Sequence, residues 1–343
     1  MDLFPYKIQK LLDGSGDTFE KVDRATKLWS YVRSFPPISC PANLIISVAR
    51  NFEKPAATYE PCVQLIKDAL QACMPEISSC KRGYPPRIVE ALGILCVSDD
   101  KFLSAVSRRI KSEEPDLAGH HLAKLAFGFA ELNFQDAELI DRLITISEAA
   151  DQWKGANNRS KFVSSLALIC DSEQFRRASL LFDQHFQEHG LGDIDLNALR
   201  RLQNAVYIHD AAEYLSSGLL GQLKNVSRIP GRGAQPTPSE LAKLVGEIVR
   251  SQGYDVQFEV PINGYYVDMT AQKKGSSKII IESDGVMFHY INGSPTDGLR
   301  GSHKFRDRIL EKSGYQVKRI VQNLHTGTGE LIESIREALE SVA

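Results

Sequence analysis

Up to residue 223 the apolar residues recur at helical spacing, and the helices themselves recur. Ile88, Leu92 and Leu95 follow the i, i+3, i+4, i+7 pattern of an amphipathic helix. So do Leu122, Leu125, Ala126 and Phe129, then Leu139, Leu143 and Ile146, then Phe162, Leu166 and Ile169. Segments opening near Ile88 (IVEALGILC), Leu122 (LAKLAFGFAELN), Phe162 (FVSSLALIC) and Leu199 (LRRLQNAVY) resemble one another and lie 34, 40 and 37 residues apart. In each, a polar break such as VSDD or NFQD leads to a second helix such as KFLSAVSRRI or AELIDRLITI. A period of that size predicts stacked helical hairpins, each burying its apolar face only against its neighbours. An earlier pair, Leu44–Arg50 and Cys62–Cys73, reads as a degenerate cap of the stack.

Residues 224–238, KNVSRIPGRGAQPTP, end this pattern with three prolines, two glycines and three basic residues, and are expected to be a linker. Beyond them Ser239 or Thr237 can cap the helix ELAKLVGEIVRSQG. Three β-branched and aromatic stretches follow (DVQFEV, GYYVDMTA and SKIIIESDG), with a hairpin turn at Lys273–Ser277. A helix LRGSHKFRDRILEKSG, a strand QVKRIV and a helix GELIESIREALESV complete an α-β-β-β-α-β-α order. The expected fold is therefore an α-helical repeat solenoid over 1–223, a linker over 224–238 and a small α/β domain over 239–343.

Composition narrows the function classes. With 43% hydrophobic and 24% charged residues, the chain is an ordinary folded protein, and no run approaches the roughly 20 apolar residues of a membrane span. The six cysteines (Cys40, Cys62, Cys73, Cys80, Cys96 and Cys170) include no CxxC pair and are expected to be reduced and buried, with no zinc site. The opening MDLFPYKIQKLLDGSGD holds no apolar signal core, and Asp2 and Asp13 fit a transit peptide poorly.

Chemistry concentrates in the second part. Asp268 interrupts an apolar and aromatic strand, Glu282 follows three isoleucines, and Asp284 shares its face on an extended chain; His289 lies just beyond. Carboxylates at the end of a strand covered on both faces are costly unless paired, protonated or metal-bound. An oxygen-rich set of this kind suits Mg²⁺ or Mn²⁺ and the activation of water for phosphodiester cleavage, with His289 as general acid or base.

These residues, with HKFRDRILEKSGYQV and the last strand, resemble a RAP domain over about 239–330: an Asp before the hairpin, acid-x-Asp-Gly after an apolar strand, a nearby His and a basic helix. Asp268, Glu282, Asp284, Gly285 and His289 match in order. The resemblance implies a restriction-endonuclease-like fold, helical repeats ahead of it, RNA as partner and an organellar, most often mitochondrial, setting that includes ribosomal RNA. The chain departs from the wider nuclease pattern: Glu282-Ser283-Asp284 stands where acid-x-Lys is usual, Lys278 comes too early to substitute, and His325 stands where a Trp is frequent. The expectation is thus a degenerate nuclease site without catalysis, metal or other cofactor.

Charge is unevenly placed. The net charge of −2 divides into −4 over 1–223 and +2 over 224–343, and residues 300–319 hold seven basic residues against Asp307 and Glu311. Arg300, Lys304 and Arg308 recur every four residues, the spacing of one helix face. Together with His303, Arg306, Lys312 and Tyr290 they are the expected RNA contacts; Tyr265, Tyr266 and Phe288 are further stacking candidates. Basic residues near helix ends of the repeats (Arg108, Arg109, Lys111, Arg159, Lys161, Arg176, Arg177, Arg200 and Arg201) offer a second surface. The reading is an RNA-binding protein of a mitochondrial ribonucleoprotein, compatible with a place in a mitochondrial ribosome beside rRNA and other proteins. The alternatives are a metal-dependent ribonuclease in RNA processing and a helical protein-interaction scaffold.

Overall fold

A computed structural model of the chain describes residues 18–32, 39–51, 59–112 apart from 82, 117–149, 153, 156–226 apart from 192, 193 and 195, 236–322 and 327–340. Most of the expected linker (227–235) and His325 lie outside them, as does the Cys40 side chain.

The helical part opens with α1 (Thr18–Val32) and continues as pairs: α2 (Ser39–Asn51) with α3 (Glu60–Cys73), α4 (Tyr84–Leu95) with α5 (Asp100–Ser112), α6 (Gly119–Glu131) with α7 (Ala137–Ala149), α8 (Ala156–Leu166) with α9 (Ser172–His189), and α10 (Leu196–Ile208) with α11 (Ser217–Val226). The first helices of the pairs pack in one row, α2-α4-α6-α8-α10, and the second helices α5, α7, α9 and α11 in another behind it. This is the expected repeat architecture. Phe102, Phe129, Phe162, Phe175 and Phe182 fill the space between rows and are fully buried.

Two local devices show why these sequences make these helices. Asp171 caps α9 by accepting from the Gln174 amide N–H at 2.8 Å, while the Gln174 side chain accepts from the Asp171 N–H. In the first row, α4 and α6 approach so closely that a Cβ on Gly128 would lie 2.1 Å from the Val89 carbonyl oxygen. Only glycine permits that crossing. Cys62, Cys73, Cys80, Cys96 and Cys170 are free thiols, all buried, and burial pushes the Cys62 and Cys73 thiols up to about 12.

The C-terminal part runs α12 (Glu240–Ser251), β1 (Asp255–Ile262), β2 (Tyr265–Gln272), β3 (Ile279–Gly285), the single turn α13 (Val286–His289), α14 (Gly301–Lys312), β4 (Gln316–Gln322) and α15 (Thr328–Glu340). Ser239 caps α12, its hydroxyl accepting from the Ala242 N–H at 3.0 Å. The sheet order is β1-β2-β3-β4, antiparallel except for the parallel pair β3–β4, which α14 connects. The isoleucine run is covered on both sides. Ile279 and Ile281 pack with Val245, Val249, Leu331 and Ile335 of α12 and α15, and Ile280 packs with Val267 and Leu310.

α14 joins the two parts. Leu310 faces the sheet, whereas Phe305 and Ile309 belong to the core of the helical repeats. No described helix is long and apolar enough to cross a membrane.

Candidate functional site

β3 carries Glu282 and Asp284 toward the side occupied by α14 and β4, and each meets a guanidinium. Arg306, one and a half turns into α14, binds Glu282 and also donates to the Tyr266 carbonyl at 2.9 Å. Arg319 of β4 donates to Asp284 Oδ2 at 2.6 Å and holds Asp307 of α14 with two further bonds of 2.8 and 2.7 Å. The parallel register sets Arg319 directly opposite Glu282, two residues from the Asp284 it binds, whereas Arg306 reaches Glu282 from α14. Asp268 faces Ser283 instead, and its Oδ2 accepts from the Ser283 N–H at 2.8 Å and hydroxyl at 2.7 Å.

Titration follows from this burial. Desolvation pushes the Glu282 carboxyl up to about 8, against the opposing pull of Arg306. Burial works against the Arg319 charge, but Asp307 and Asp284 outweigh it and hold its pKa above the ordinary value. His289 lies 3.3 Å from Asp284 Oδ1 through Nδ1, and its ring is 4.7 Å from that of His303. Burial lowers the His289 pKa, with Asp284 opposing, and pushes His303 down to about 2, with His289 adding to the effect.

The three carboxylates are close in the fold but do not form a cation cage. Mg²⁺ and Mn²⁺ need carboxylate oxygens converging on one point, whereas here two arginines take the place a cation would occupy and Asp268 points at Ser283. Among the described residues no three His, Cys, Asp or Glu side chains group to hold a metal ion. The alternative ligand set Asp268, Glu282 and Asp284 therefore does not fit the metal.

The expected RNA contacts separate into two groups. Lys304 and Arg308 are exposed on α14, and the Arg308 guanidinium lies 5.9 Å from the Phe305 ring centroid. Arg300 is a correction: it precedes the helix, is only 4% exposed, and donates to Glu131 Oε2 at 2.9 Å. It does not continue the stripe. Arg306 is held by Glu282 within the fold. Lys312 donates to the carbonyls of Tyr207 and Ile208 at 2.8 and 3.0 Å and to Asp210 at 2.8 Å, fastening α14 to the end of α10. Tyr290 is buried rather than available for stacking; its hydroxyl donates to Asp284 at 3.4 Å and burial pushes its pKa up to about 12. Phe288 is the stacking candidate that remains open, at 50% exposure. Of the repeat residues, Lys111, Arg176 and Arg177 are paired with acids on the second row, whereas Arg200 and Arg201 face the C-terminal part across a cleft.

Sequence reasoning missed Glu131. It is buried at the end of the apolar helix LAKLAFGFAELN, where it holds Arg300 and the Ser302 hydroxyl, the latter at 2.9 Å. A lone acid closing an apolar helix is the same signal that marked Glu282 after three isoleucines. Compared with known proteins, the chain matches no family model and no curated protein significantly.

Proposed function

We propose that the protein is a non-catalytic RNA-binding protein, with a C-terminal RAP-like domain locked onto helical repeats. The observation that carries this reading is the fate of the charges at the nuclease-like site. Arg306 and Arg319 bind Glu282 and Asp284 inside the fold, while Lys304 and Arg308 stay exposed four residues apart on α14. The first arrangement opposes metal-assisted cleavage. The second leaves a short cationic face that attracts phosphates even on a chain of net charge −2, because screening confines the interaction to about 8–10 Å. Phe288 adds an open aromatic ring for an unpaired base. Single-stranded or ribosomal RNA is the substrate class that fits; the mitochondrial setting and a place in a mitochondrial ribosome rest on the family resemblance alone.

One observation favours a protein partner as well. A groove of about 560 Å³ beside α10 and α11 is lined by Val206, Tyr207, Leu220 and Leu223. Such a surface suits a neighbouring subunit of a ribonucleoprotein.

Ultraviolet crosslinking of purified protein to labelled RNA, followed by peptide mapping, tests the reading. Crosslinks are expected on residues 288–308. Incubation of the same RNA with Mn²⁺ is expected to leave it intact. Cleavage that disappears in Asp268→Ala would establish the ribonuclease alternative instead, and native protein that sediments identically with and without ribonuclease would remove the ribonucleoprotein setting.

A further inference from the structure

Where the two parts meet, a cavity of about 300 Å³ lies between the start of α10, the β1–β2 turn and the start of α14. It is within the lower range of the roughly 300–1,000 Å³ typical of small-ligand pockets. Its wall includes Arg200, Arg201 and Arg306, and no aspartate or glutamate.

Further features single it out as an anion site. The N-terminal turns of two long helices, α10 and α14, both border it, supplying Asn197 from one and Ser302 from the other. Helix N-termini carry partial positive charge, so the α10 macrodipole adds to the guanidinium field, whereas the α14 N-terminus and the Ser302 hydroxyl already face Glu131. The Arg306 Nε is buried without a hydrogen-bond partner, although the same guanidinium reaches Glu282 and the Tyr266 carbonyl. Arg201 lies 3.9 Å from Glu131 Oε1, beyond hydrogen-bond reach, while Arg300 and Ser302 both take Oε2. His303 on the same wall stays neutral at physiological pH. Tyr265 also lines the pocket, and its hydroxyl accepts from the Asn204 amide at 3.1 Å.

We propose that this interdomain pocket binds the phosphate of a single nucleotide: the phosphate between Arg200, Arg201 and Arg306, and the base against Tyr265. A phosphate monoester suits it better than a diester in mid-strand, because its charge of roughly −1.5 to −2 near neutral pH is better matched to a cluster of guanidiniums. The nucleotide is either free or the phosphorylated end of an RNA. The strand-end source rests on the RNA reading above; the free-nucleotide source does not.

Titration calorimetry with AMP and inorganic phosphate, and binding of RNA 10-mers bearing or lacking a 5′- or 3′-terminal phosphate, test this on the full chain. AMP, or a terminally phosphorylated 10-mer over its hydroxyl counterpart, is expected to bind wild type, and Arg201→Ala and Arg200→Ala are each expected to weaken that binding about 10-fold or more. Both variants are melted in parallel, and Lys273→Ala on the remote hairpin serves as the neutral control. Binding of AMP alone assigns a free nucleotide, and discrimination by terminal phosphate assigns a strand end. Wild type that binds neither AMP nor phosphate and ignores the terminal phosphate overturns the pocket, as does undiminished affinity in both arginine variants. RNA binding indifferent to terminal phosphate would leave the RNA reading intact while removing this one; AMP binding without RNA binding would do the reverse.

Discussion

Arg300 donates to Glu131 at 2.9 Å across the seam between repeats and sheet domain, and both side chains are almost fully buried. Glu131 ends α6 and faces the N-terminus of α14; Arg300 precedes α14 and faces the C-terminus of α6. Each charge thus complements the dipole of the helix opposite as well as its partner. Breaking such a pair leaves one charge buried, at a cost of about 3–5 kcal/mol, whereas replacing both partners with apolar residues is often neutral. Arg300→Met alone is expected to lower the unfolding free energy measured in urea by that amount, and Arg300→Met with Glu131→Leu to recover most of it. Equal losses in the single and double variants would show that the pair does not act as a unit.

Gly301 tests the same seam by shape. A Cβ there would lie 1.8 Å from the Ala130 carbonyl oxygen. Glycine to alanine within a helix ordinarily stabilises by roughly 1 kcal/mol. Here the clash is with backbone, which no rotamer relieves, so Gly301→Ala is expected to destabilise by about 1–3 kcal/mol. The same change is expected to speed limited proteolysis of the 286–300 segment, whose Asn292 N–H donates to the Cys96 carbonyl at 2.7 Å. An unchanged or raised melting temperature would contradict the packing described.

The repeats were legible because a helical period is a local property. Ile88, Leu122, Phe162 and Leu199 each lie in the first helix of a pair. The strand order was equally readable, since Ile279, Ile280 and Ile281 state their double coverage directly. The site was only half legible. Glu282 and Asp284 announce that buried carboxylates need partners, but not which ones, because Arg306 and Arg319 are 24 and 35 residues away in the chain. A basic run reads as a surface when its acids are distant in sequence. That is why Arg300, Arg306 and Lys312 counted as RNA ligands although Glu131, Glu282 and Asp210 hold them.

Two buried groups set opposite pH slopes. Glu282 has its pKa raised from 4.5 to about 8 on folding, so its contribution is full below 4.5 and is lost as pH rises through about 8. His303 has its pKa lowered from 6.5 to about 2, so its contribution is full above 6.5 and is lost as pH falls. Between 4.5 and 6.5 the two slopes cancel, and their joint effect on stability is greatest and flat there. In Glu282→Gln the loss of stability from 6.5 to 8 is expected to shrink; in His303→Phe the loss on acidification below 4.5 is expected to shrink. Urea midpoints measured at half-unit pH intervals decide it, and parallel curves for wild type and both variants would refute the assignment.

Lys304 and Arg308 are two of the seven basic residues of 300–319, both exposed on α14, and they separate RNA contact from internal pairing. Each phosphate contact contributes about 0.7 to the slope of log affinity against log salt for a single strand. Lys304→Ala with Arg308→Ala is therefore expected to weaken RNA binding and reduce that slope by about 1.4, without a change in melting temperature. Arg300→Met, at a position closed to solvent, is expected to leave the slope alone and act only on stability. Filter binding of a single-stranded RNA from 50 to 300 mM salt measures both. A slope unaffected by the double substitution would place the RNA elsewhere. A slope reduced by Arg300→Met would mean that the seam opens and Arg300 itself reaches phosphate.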